Sequence, residues 1–293
     1  MSRCAEVRRA RPLLGTIVDI AASGPDAERA VERAFAAVER VQRLMSYHDA
    51  ASELARLNRT AHTLPVKVRA WTFRVLKLSQ RLSRESGGAF DATVAPRLVA
   101  WGFLPRSPGG GRSEKNATWR DVELLPGSTV RFLRALHLDL GGIAKGFAVD
   151  RAVDALRAGG CESGCVNAGG DLRVFGEDAH RVHVRHPAAP GCMARALELR
   201  DAAIATSSGY FSRKQWRGRN VSPLVDGRTR LPCDDSLSIS VVAPEAACAD
   251  ALTKIVFAMR DDAAPLLAAR GATALVLDRR GKCSLPDSTH DAP

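Results

Sequence analysis

Apolar positions recur with helical spacing in four stretches of the chain. They predict helices over residues 26–45, 71–86, 144–158 and 245–259, and the second helix is expected to end at Gly87 and Gly88. Shorter apolar and β-branched runs predict strands at residues 13–21, 130–132, 137–140, 165–166, 172–175, 181–185, 194–199, 202–206, 236–242 and 275–278, the last closing the sheet. Strands interrupted by helices, without regular βαβ alternation, indicate an α+β fold.

Two glycine-containing stretches separate these elements. The sequence Asn-Ala-Gly-Gly-Asp at 167–171 is typical of a hairpin-like turn, and the Pro-, Gly- and Ser-rich segment 105–112 is typical of an exposed loop. The apolar segments on both sides of that loop look dependent on each other. We therefore expect one domain over 1–293, structured from about residue 10 to about residue 285, with flexible tails.

The composition is that of a globular protein, with 45% apolar, 26% charged and 5% aromatic residues in 293. This excludes disordered, collagenous and fibrous chains. The formal charge of +11 favours anionic ligands such as phosphates or nucleotides. Only seven of the 43 basic residues are lysines, and the arginines are scattered rather than clustered with aromatics, so we expect no nucleic-acid partner.

Cysteine spacing and hydropathy indicate the cellular setting. The seven cysteines form no C-x-x-C pair, so zinc-site spacing is absent; Cys161 and Cys165 fit either a disulfide or two reduced thiols. No apolar stretch is long enough to predict a membrane span. The first 16 residues lack the apolar core of a secretory leader. We therefore expect a cytoplasmic protein.

The strongest signal for chemistry is the segment 137–150, HLDLGGIAKGFAVD. Two glycines and Lys145 precede a helix, so free backbone N–H groups and a cation converge, as a phosphate site requires. The Walker spacing and the G-x-G-x-x-G pattern are both absent. Asp139, a carboxylate in an apolar strand, needs a partner. An ordinary turn before a helix is the alternative interpretation.

Two other segments carry weaker signals. GGAFDATVAP at 87–96, followed by WGF at 101–103, could line a pocket for a planar ligand, or could simply lead from a capped helix into a core aromatic. In CADALTK at 248–254, Asp250 and Thr253 share one helix face. They could bind a hard cation or be ordinary residues of a helix start.

The order of these segments is more specific than any one of them. RPLLGT at 11–16, MSYHDAASELARLN at 45–58, GGAFDATVAP with WGF, LDLGGIAKGFAVD, VNAGGDLRVFG at 166–176, AIATSS at 203–208, LVDGRT at 224–229 and SVVAPEAACADALTK at 240–254 follow one another. In this order the chain resembles the ApbE family of FAD:protein FMN transferases over nearly its whole length.

The resemblance implies a single α+β domain, mostly an antiparallel sheet with flanking helices and a flavin cleft. It implies an enzyme that binds FAD and Mg²⁺ and transfers FMN to a Thr or Ser hydroxyl of an acceptor flavoprotein, releasing AMP. By position, the implied cofactor-binding residues are Leu14, His48, Ala89, Phe90, Asp91, Asp139, Lys145 and Leu224; the catalytic residues are Asp250 and Lys145; and the metal ligands are Gly142, through a main-chain oxygen, Asp250 and Thr253.

The chain departs from the family pattern in three ways. Lys254 stands where the metal-binding Thr is usual, so either its ammonium takes the place of the metal beside Asp250, or Thr253 reaches the ion from the same helix face. The segment 223–230, PLVDGRTR, lacks the His, Pro and final Gly of the family's H-I-I-D-P-x-T-G. The export or lipid-anchor signal common in the family is not visible. A diverged FAD-binding accessory protein, or an FAD pyrophosphatase, therefore stays an alternative.

Overall fold

The computed structural model of the protein describes residues 6–106, 111–209 and 212–284. The helices are α1 Ala27–Met45, α2 Glu53–Thr60, α3 Ala70–Glu85, α4 Ala95–Ala100, α5 Ala144–Ala158, α6 Ala246–Met259 and α7 Ala264–Ala269. The strands are β1 Val7–Leu13, β2 Thr16–Ser23, β3 Val66–Lys67, β4 Val122–Leu125, β5 Thr129–Phe132, β6 Ser163–Ala168, β7 Asp171–Phe175, β8 His180–His186, β9 Ala189–Leu199, β10 Ala203–Ser208, β11 Lys214–Trp216, β12 Arg219–Val221, β13 Ser238–Ala243, β14 Thr273–Leu277 and β15 Cys283–Ser284.

The main sheet has eight strands in the order β1-β2-β6-β7-β10-β13-β14-β15, and every neighbouring pair is antiparallel. Helix α1 packs on α5, and α5 packs on α6. These helices bury their apolar stripes against one face of the sheet, where Val18 and Ile20 of β2 belong to the same core as Phe35. The β8–β9 hairpin covers the opposite face, packing Val184 and Leu199 on β7.

The predicted α+β fold with a mostly antiparallel sheet is confirmed. Helices α1, α3, α5 and α6 match their predicted ranges to within one residue at each end. The hairpin turn predicted at 167–171 joins β6 to β7, with positive φ at Gly169 and Gly170. No helix within the three described ranges is long and apolar enough to cross a membrane. Residues 107–110 of the predicted loop and both expected tails lie outside those ranges.

The predicted strand at 13–21 is wrong in its extent, because the chain forms a hairpin there. Strand β1 pairs with β2 through a two-residue turn in which Leu14 and Gly15 have φ of 56° and 72°. Two positive φ values are what a tight hairpin turn with the right-handed twist of its strands requires. Further along the chain, helix α2 was not predicted, although Ser52 caps it by accepting a hydrogen bond from the Ala55 N–H at 3.0 Å.

The predicted strand at 137–140 is also wrong. The Leu138 N–H donates to Asn58 Oδ1 at 2.8 Å, and Asn58 Nδ2 donates to the Leu138 carbonyl at 2.9 Å. The Asp139 N–H donates to the Ala92 carbonyl at 2.7 Å. An amide side chain thus satisfies the backbone groups that a neighbouring strand would otherwise pair. At the other end of the chain, β15 pairs beyond β14, so residues 275–278 do not close the sheet.

Candidate active site

A cavity of about 840 Å³ opens where the β1–β2 turn, the end of α1, the start of α5 and the end of β10 meet. This volume lies within the range of small-molecule pockets, roughly 300–1,000 Å³. The cavity is lined by all the residues predicted to bind the cofactor and by one predicted metal ligand, namely Leu14, His48, Ala89, Phe90, Asp91, Asp139, Lys145, Leu224 and Gly142. Asp250 and Thr253 lie behind this wall, both fully buried.

One part of the cavity wall is apolar. Ala89 and Phe90, in the segment that follows α3, are buried side chains, as is Leu224. The Phe90 N–H donates to Ser86 Oγ at 3.1 Å, which anchors the segment to the end of α3. Phe103 and Leu104 extend the same wall. Such a surface suits a flat aromatic ligand.

Asp91 lines the cavity, but its carboxylate is engaged in the protein itself. Oδ1 accepts from the N–H and hydroxyl of Thr93, both at 2.8 Å, while Oδ2 accepts from Arg230 at 2.8 Å and from the Trp119 N–H at 3.3 Å. Burial raises the pKa of Asp91, and the Arg230 guanidinium opposes that rise. The carboxylate therefore holds the 89–93 segment against two distant loops, and its contact with a flavin stays a prediction.

The polar end of the cavity contains two lysines and two buried carboxylates. Lys145 Nζ pairs with Asp171 and lies 3.5 Å from Asp250 Oδ2. Lys254 Nζ pairs with Asp250 Oδ1 and donates to the Asp250 carbonyl at 3.0 Å. Both lysines line the cavity, whereas the side chain of Asp250 is 0% exposed. The two ammonium groups can therefore meet an anionic ligand while each keeps a carboxylate partner.

Helices α5 and α6 hold this cluster together by capping each other. Asp250 of α6 accepts from the Gly146 N–H at 3.2 Å in the first turn of α5, and Asp150 of α5 accepts from the N–H groups of Ala246 and Ala247, each at 2.9 Å. Free N–H groups at a helix start need such acceptors. A Cβ at Gly146 would overlap the Ala246 carbonyl, so glycine allows the close approach.

Charge and burial act in opposite directions on the clustered carboxyls. Burial alone would raise the pKa of Asp250, but the ammonium groups of Lys145 and Lys254 lower it to about 2. Burial and the Asp250 charge raise the pKa of Asp171 to about 6, against the opposing effect of Lys145. The pKa of Lys145 is raised, because the two carboxylates outweigh its burial. Asp250 and Lys145 are thus both charged at neutral pH.

Thr253 is directed into the protein rather than into the cavity. Its hydroxyl donates to the Asp250 carbonyl at 2.8 Å and lies 2.7 Å from Ser207 Oγ of β10. Within the described ranges, no group of three or more His, Cys, Asp or Glu side chains is arranged to hold a metal ion. The sequence left two alternatives beside Asp250, the Lys254 ammonium or an ion reached by Thr253. In the structure the Lys254 ammonium contacts the Asp250 carboxylate.

Asp139 lies between the glycine turn and the cavity. Its Oδ1 accepts from the Gly141 N–H at 3.1 Å. Burial raises the pKa of Asp139, while that hydrogen bond and the charges of His48 and Lys254 oppose the rise. The sequence analysis expected the Asp139 carboxylate to need a partner. Part of that need is met by the backbone of its own turn.

Several lining residues were not predicted. Asp171 was assigned only to a turn, although a buried carboxylate at the start of a strand is itself a signal. Tyr47 is 6% exposed, and its hydroxyl has no hydrogen-bond partner in the described part of the chain. Gln42 lines the cavity and accepts from the Leu14 N–H at 2.6 Å. Thr206 and Ser207 line it from β10.

The cysteines of the described chain are free thiols, Cys161 and Cys165 included. Burial raises the pKa of Cys165 to about 12, and the Asp19 carboxylate adds to this. Cys161 and Cys165 are therefore two reduced thiols in this structure, and they form no disulfide with each other.

The chain is similar to flavin transferases in both sequence and structure. The family model described as "ApbE family" matches residues 14–276. The FAD:protein FMN transferase of Haemophilus influenzae is 28% identical over 272 residues, covering 85% of this chain and 78% of that protein. The FAD:protein FMN transferase of Treponema pallidum is 29% identical, covering 88% of this chain and 80% of that protein.

Two solved structures extend the comparison. The ApbE protein from Thermotoga maritima superposes with a TM-score of 0.85 at 24% identity, covering 96% of this chain and 97% of its own, a likeness of fold. The flavin transferase ApbE from Vibrio cholerae has a TM-score of 0.78 at 25% identity and covers 97% of each chain.

Proposed function

The chain belongs to the ApbE family, and we propose that it is an FAD:protein FMN transferase. The observation that carries the proposal is the division of the cavity into an apolar wall around Phe90 and a polar end at which Lys145 and Lys254 line the cavity, each paired with a carboxylate. The wall suits the flavin ring and the lysines suit the diphosphate, so one ligand of the FAD type matches both ends.

The proposed reaction is a phosphoryl-type transfer to a Thr or Ser hydroxyl of an acceptor protein. The hydroxyl oxygen attacks the phosphorus on the riboflavin side, the bridging P–O bond breaks, AMP leaves with the bridging oxygen, and one proton is released. Such reactions are accelerated mainly by positioning and by neutralising charge on the phosphoryl oxygens. Lys145 supplies that charge at the start of α5, and we propose that Asp250, predicted to be catalytic, acts by holding Lys145 in position.

Magnesium is part of what the family resemblance implies, with Gly142, Asp250 and Thr253 as its donors. Oxygen ligands of this kind suit Mg²⁺. In this fold, however, Lys254, Lys145 and the Gly146 N–H already occupy the Asp250 carboxylate, and the Thr253 hydroxyl donates to a carbonyl. The residues as arranged do not fit the ion, so no step of the proposed reaction passes through it, and magnesium dependence remains only what the resemblance implies.

Intact-mass spectrometry of an acceptor peptide tests the proposal. Purified protein, FAD and a peptide carrying a Thr or Ser target should yield peptide heavier by one FMN less water, together with AMP. Asp250→Asn should lower the rate by roughly 100-fold or more, because it removes a charge that holds Lys145 in place. Asp154→Asn, on the solvent side of α5, is the matched control and should transfer at the wild-type rate.

Each other outcome has a definite meaning. Equal labelling by wild type and Asp250→Asn removes Asp250 from the catalytic role. Tight FAD binding without labelling favours the accessory protein, an alternative motivated by Lys254 and by the missing His of the 223–230 segment. AMP release without an acceptor favours the pyrophosphatase.

One domain over 1–293 and a cytoplasmic location stay predictions as well.

A further inference from the structure

We propose that Lys254 serves as a built-in cation at the polar end of the cavity, so that the protein binds a nucleotide diphosphate without a divalent metal. The inference rests on the proposed function for the identity of the nucleotide, FAD. Its structural basis is independent of the transfer reaction.

The position of the Lys254 ammonium is the first argument. Lys254 follows Asp250 by one turn of α6, and its Nζ contacts both the carboxylate and the main-chain carbonyl of that residue. The side chain is only 18% exposed, and what is exposed lines the cavity. The ammonium is therefore held by two oxygens of one residue, unlike a freely rotating surface lysine.

The path of the side chain is the second argument. Its stem crosses the glycine turn, since a Cβ placed on Gly142 would lie 3.5 Å from Lys254 Cε and 3.5 Å from the Phe90 ring. Gly142 and Asp250 are two of the three predicted metal ligands, and the lysine lies against both. Its ammonium thus lies at the border between the apolar wall and the charged end, where the phosphates of an FAD bound along the cavity would be.

The balance of charge is the third argument. Lys145 and Lys254 each pair with a buried carboxylate, Asp171 and Asp250, and Asp139 of the glycine turn also faces Lys254. A divalent ion at Asp250 would add two positive charges within a few ångströms of the Lys254 ammonium. The repulsion is large in a buried site, so the ion and the ammonium exclude each other.

FAD binding followed by flavin fluorescence tests the proposal without an acceptor. Wild type should bind FAD with the same Kd in EDTA and in millimolar Mg²⁺, within about twofold. Lys254→Thr should weaken binding in EDTA by roughly ten- to a hundredfold, the worth of a charge-assisted contact. Mg²⁺ should restore the FAD affinity of Lys254→Thr, whose hydroxyl can bind the ion. It should not restore that of Lys254→Met, which has no side-chain oxygen. Lys77→Thr, an exposed residue of α3, is the matched control.

Mn²⁺ titration by electron paramagnetic resonance gives a readout that needs neither FAD nor turnover. Wild type should show no tight site, and Lys254→Thr should gain one. Tight Mn²⁺ binding by wild type, or loss of wild-type FAD binding in EDTA, would overturn the proposal. Failure to transfer FMN overturns only the proposed function, whereas failure to bind FAD both in EDTA and in Mg²⁺ overturns this proposal as well. Thermal midpoints of all variants separate these effects from loss of folding.

Discussion

Arg230 combines an unfavourable backbone conformation with a buried ion pair. Its φ of 60° lies in the left-handed region that favours glycine, and this is where the family pattern has its final Gly. Its guanidinium donates to Asp91 and Thr93 and to the Ala117 carbonyl, at 2.8, 2.9 and 3.0 Å. One side chain thus joins the cavity segment to two loops, which offsets the cost of the backbone conformation.

Arg230→Met should lower the free energy of unfolding by roughly 2–4 kcal/mol at neutral pH, because it leaves the Asp91 carboxylate buried without its cation. Burial already raises the pKa of Asp91, and removing the guanidinium raises it further. The folded variant then binds a proton more tightly than the unfolded chain, so its stability rises as the pH falls. Urea denaturation at pH 7 and pH 5 should show that the difference in unfolding free energy between wild type and variant is smaller at the lower pH.

Arg131→Met provides the matched control for that series. Arg131 pairs with Glu123 at the surface, where the two side chains are 47% and 33% exposed. Its loss should cost less than about 1 kcal/mol. A deficit for Arg230→Met that is as small as this, or that widens as the pH falls, would contradict the role given to the buried pair.

Tyr47 lines the cavity, and its buried hydroxyl has no hydrogen-bond partner among the residues that the structure describes. Burial, together with the Asp139 carboxylate, raises the pKa of Tyr47, so the hydroxyl keeps its proton and can donate. Tyr47→Phe should weaken FAD binding by roughly two- to tenfold, the worth of one net hydrogen bond, without lowering the thermal midpoint. Fluorescence titration and a melting curve measure the two effects. Unchanged affinity, or a large loss of stability, would assign the hydroxyl to the fold rather than to the ligand.

At the scale of elements, the α5–α6 pair positions the charged cluster. The two helices cap each other through Asp250 and Asp150, and Arg173 of β7 donates to Asp150 at 2.7 Å. These contacts bind two helices and a central strand into one unit. Lys145 and Lys254 are carried on that unit, so the spacing between the helices sets the spacing between the lysines.

Gly146→Ala should therefore affect stability and binding together. The added Cβ overlaps the Ala246 carbonyl and must push the helices apart, which we expect to cost roughly 1–3 kcal/mol and to weaken FAD binding. Chemical denaturation and fluorescence titration measure both. Gly191→Ala is the control, since a Cβ there meets nothing within 4 Å. Normal FAD affinity in the Gly146 variant would show that helix spacing does not set the geometry of the site.

At the scale of the whole molecule, the formal charge of +11 acts on an anionic ligand before contact. The rate constant for FAD association should fall roughly three- to tenfold as sodium chloride rises from about 0.02 M to about 0.3 M, because salt screens this attraction. The dissociation rate should change less. Stopped-flow fluorescence measures both constants, and an association rate that is independent of salt would argue against steering by net charge.

The sequence alone determined the positions of the long helices, and the order of its motifs identified the family. Helical periodicity and turn glycines act within a few residues, so α1, α3, α5 and α6 and the turn between β6 and β7 could be predicted from local pattern. The order of the segments was sufficient to predict the family and, through it, nine of the residues that line the cavity, though not Gln42, Tyr47 or Asp171.

Only the tertiary structure decided how those residues are paired. Segment 137–140 has a strand-like composition, but an amide 80 residues away takes its backbone hydrogen bonds. Lys145 meets Asp250 across 105 residues, and Asp171, predicted as the last residue of a turn, joins them from the first position of β7. Which cation contacts a buried carboxylate depends on the distance between helices, and that distance is set by packing around Gly146, which no local pattern encodes.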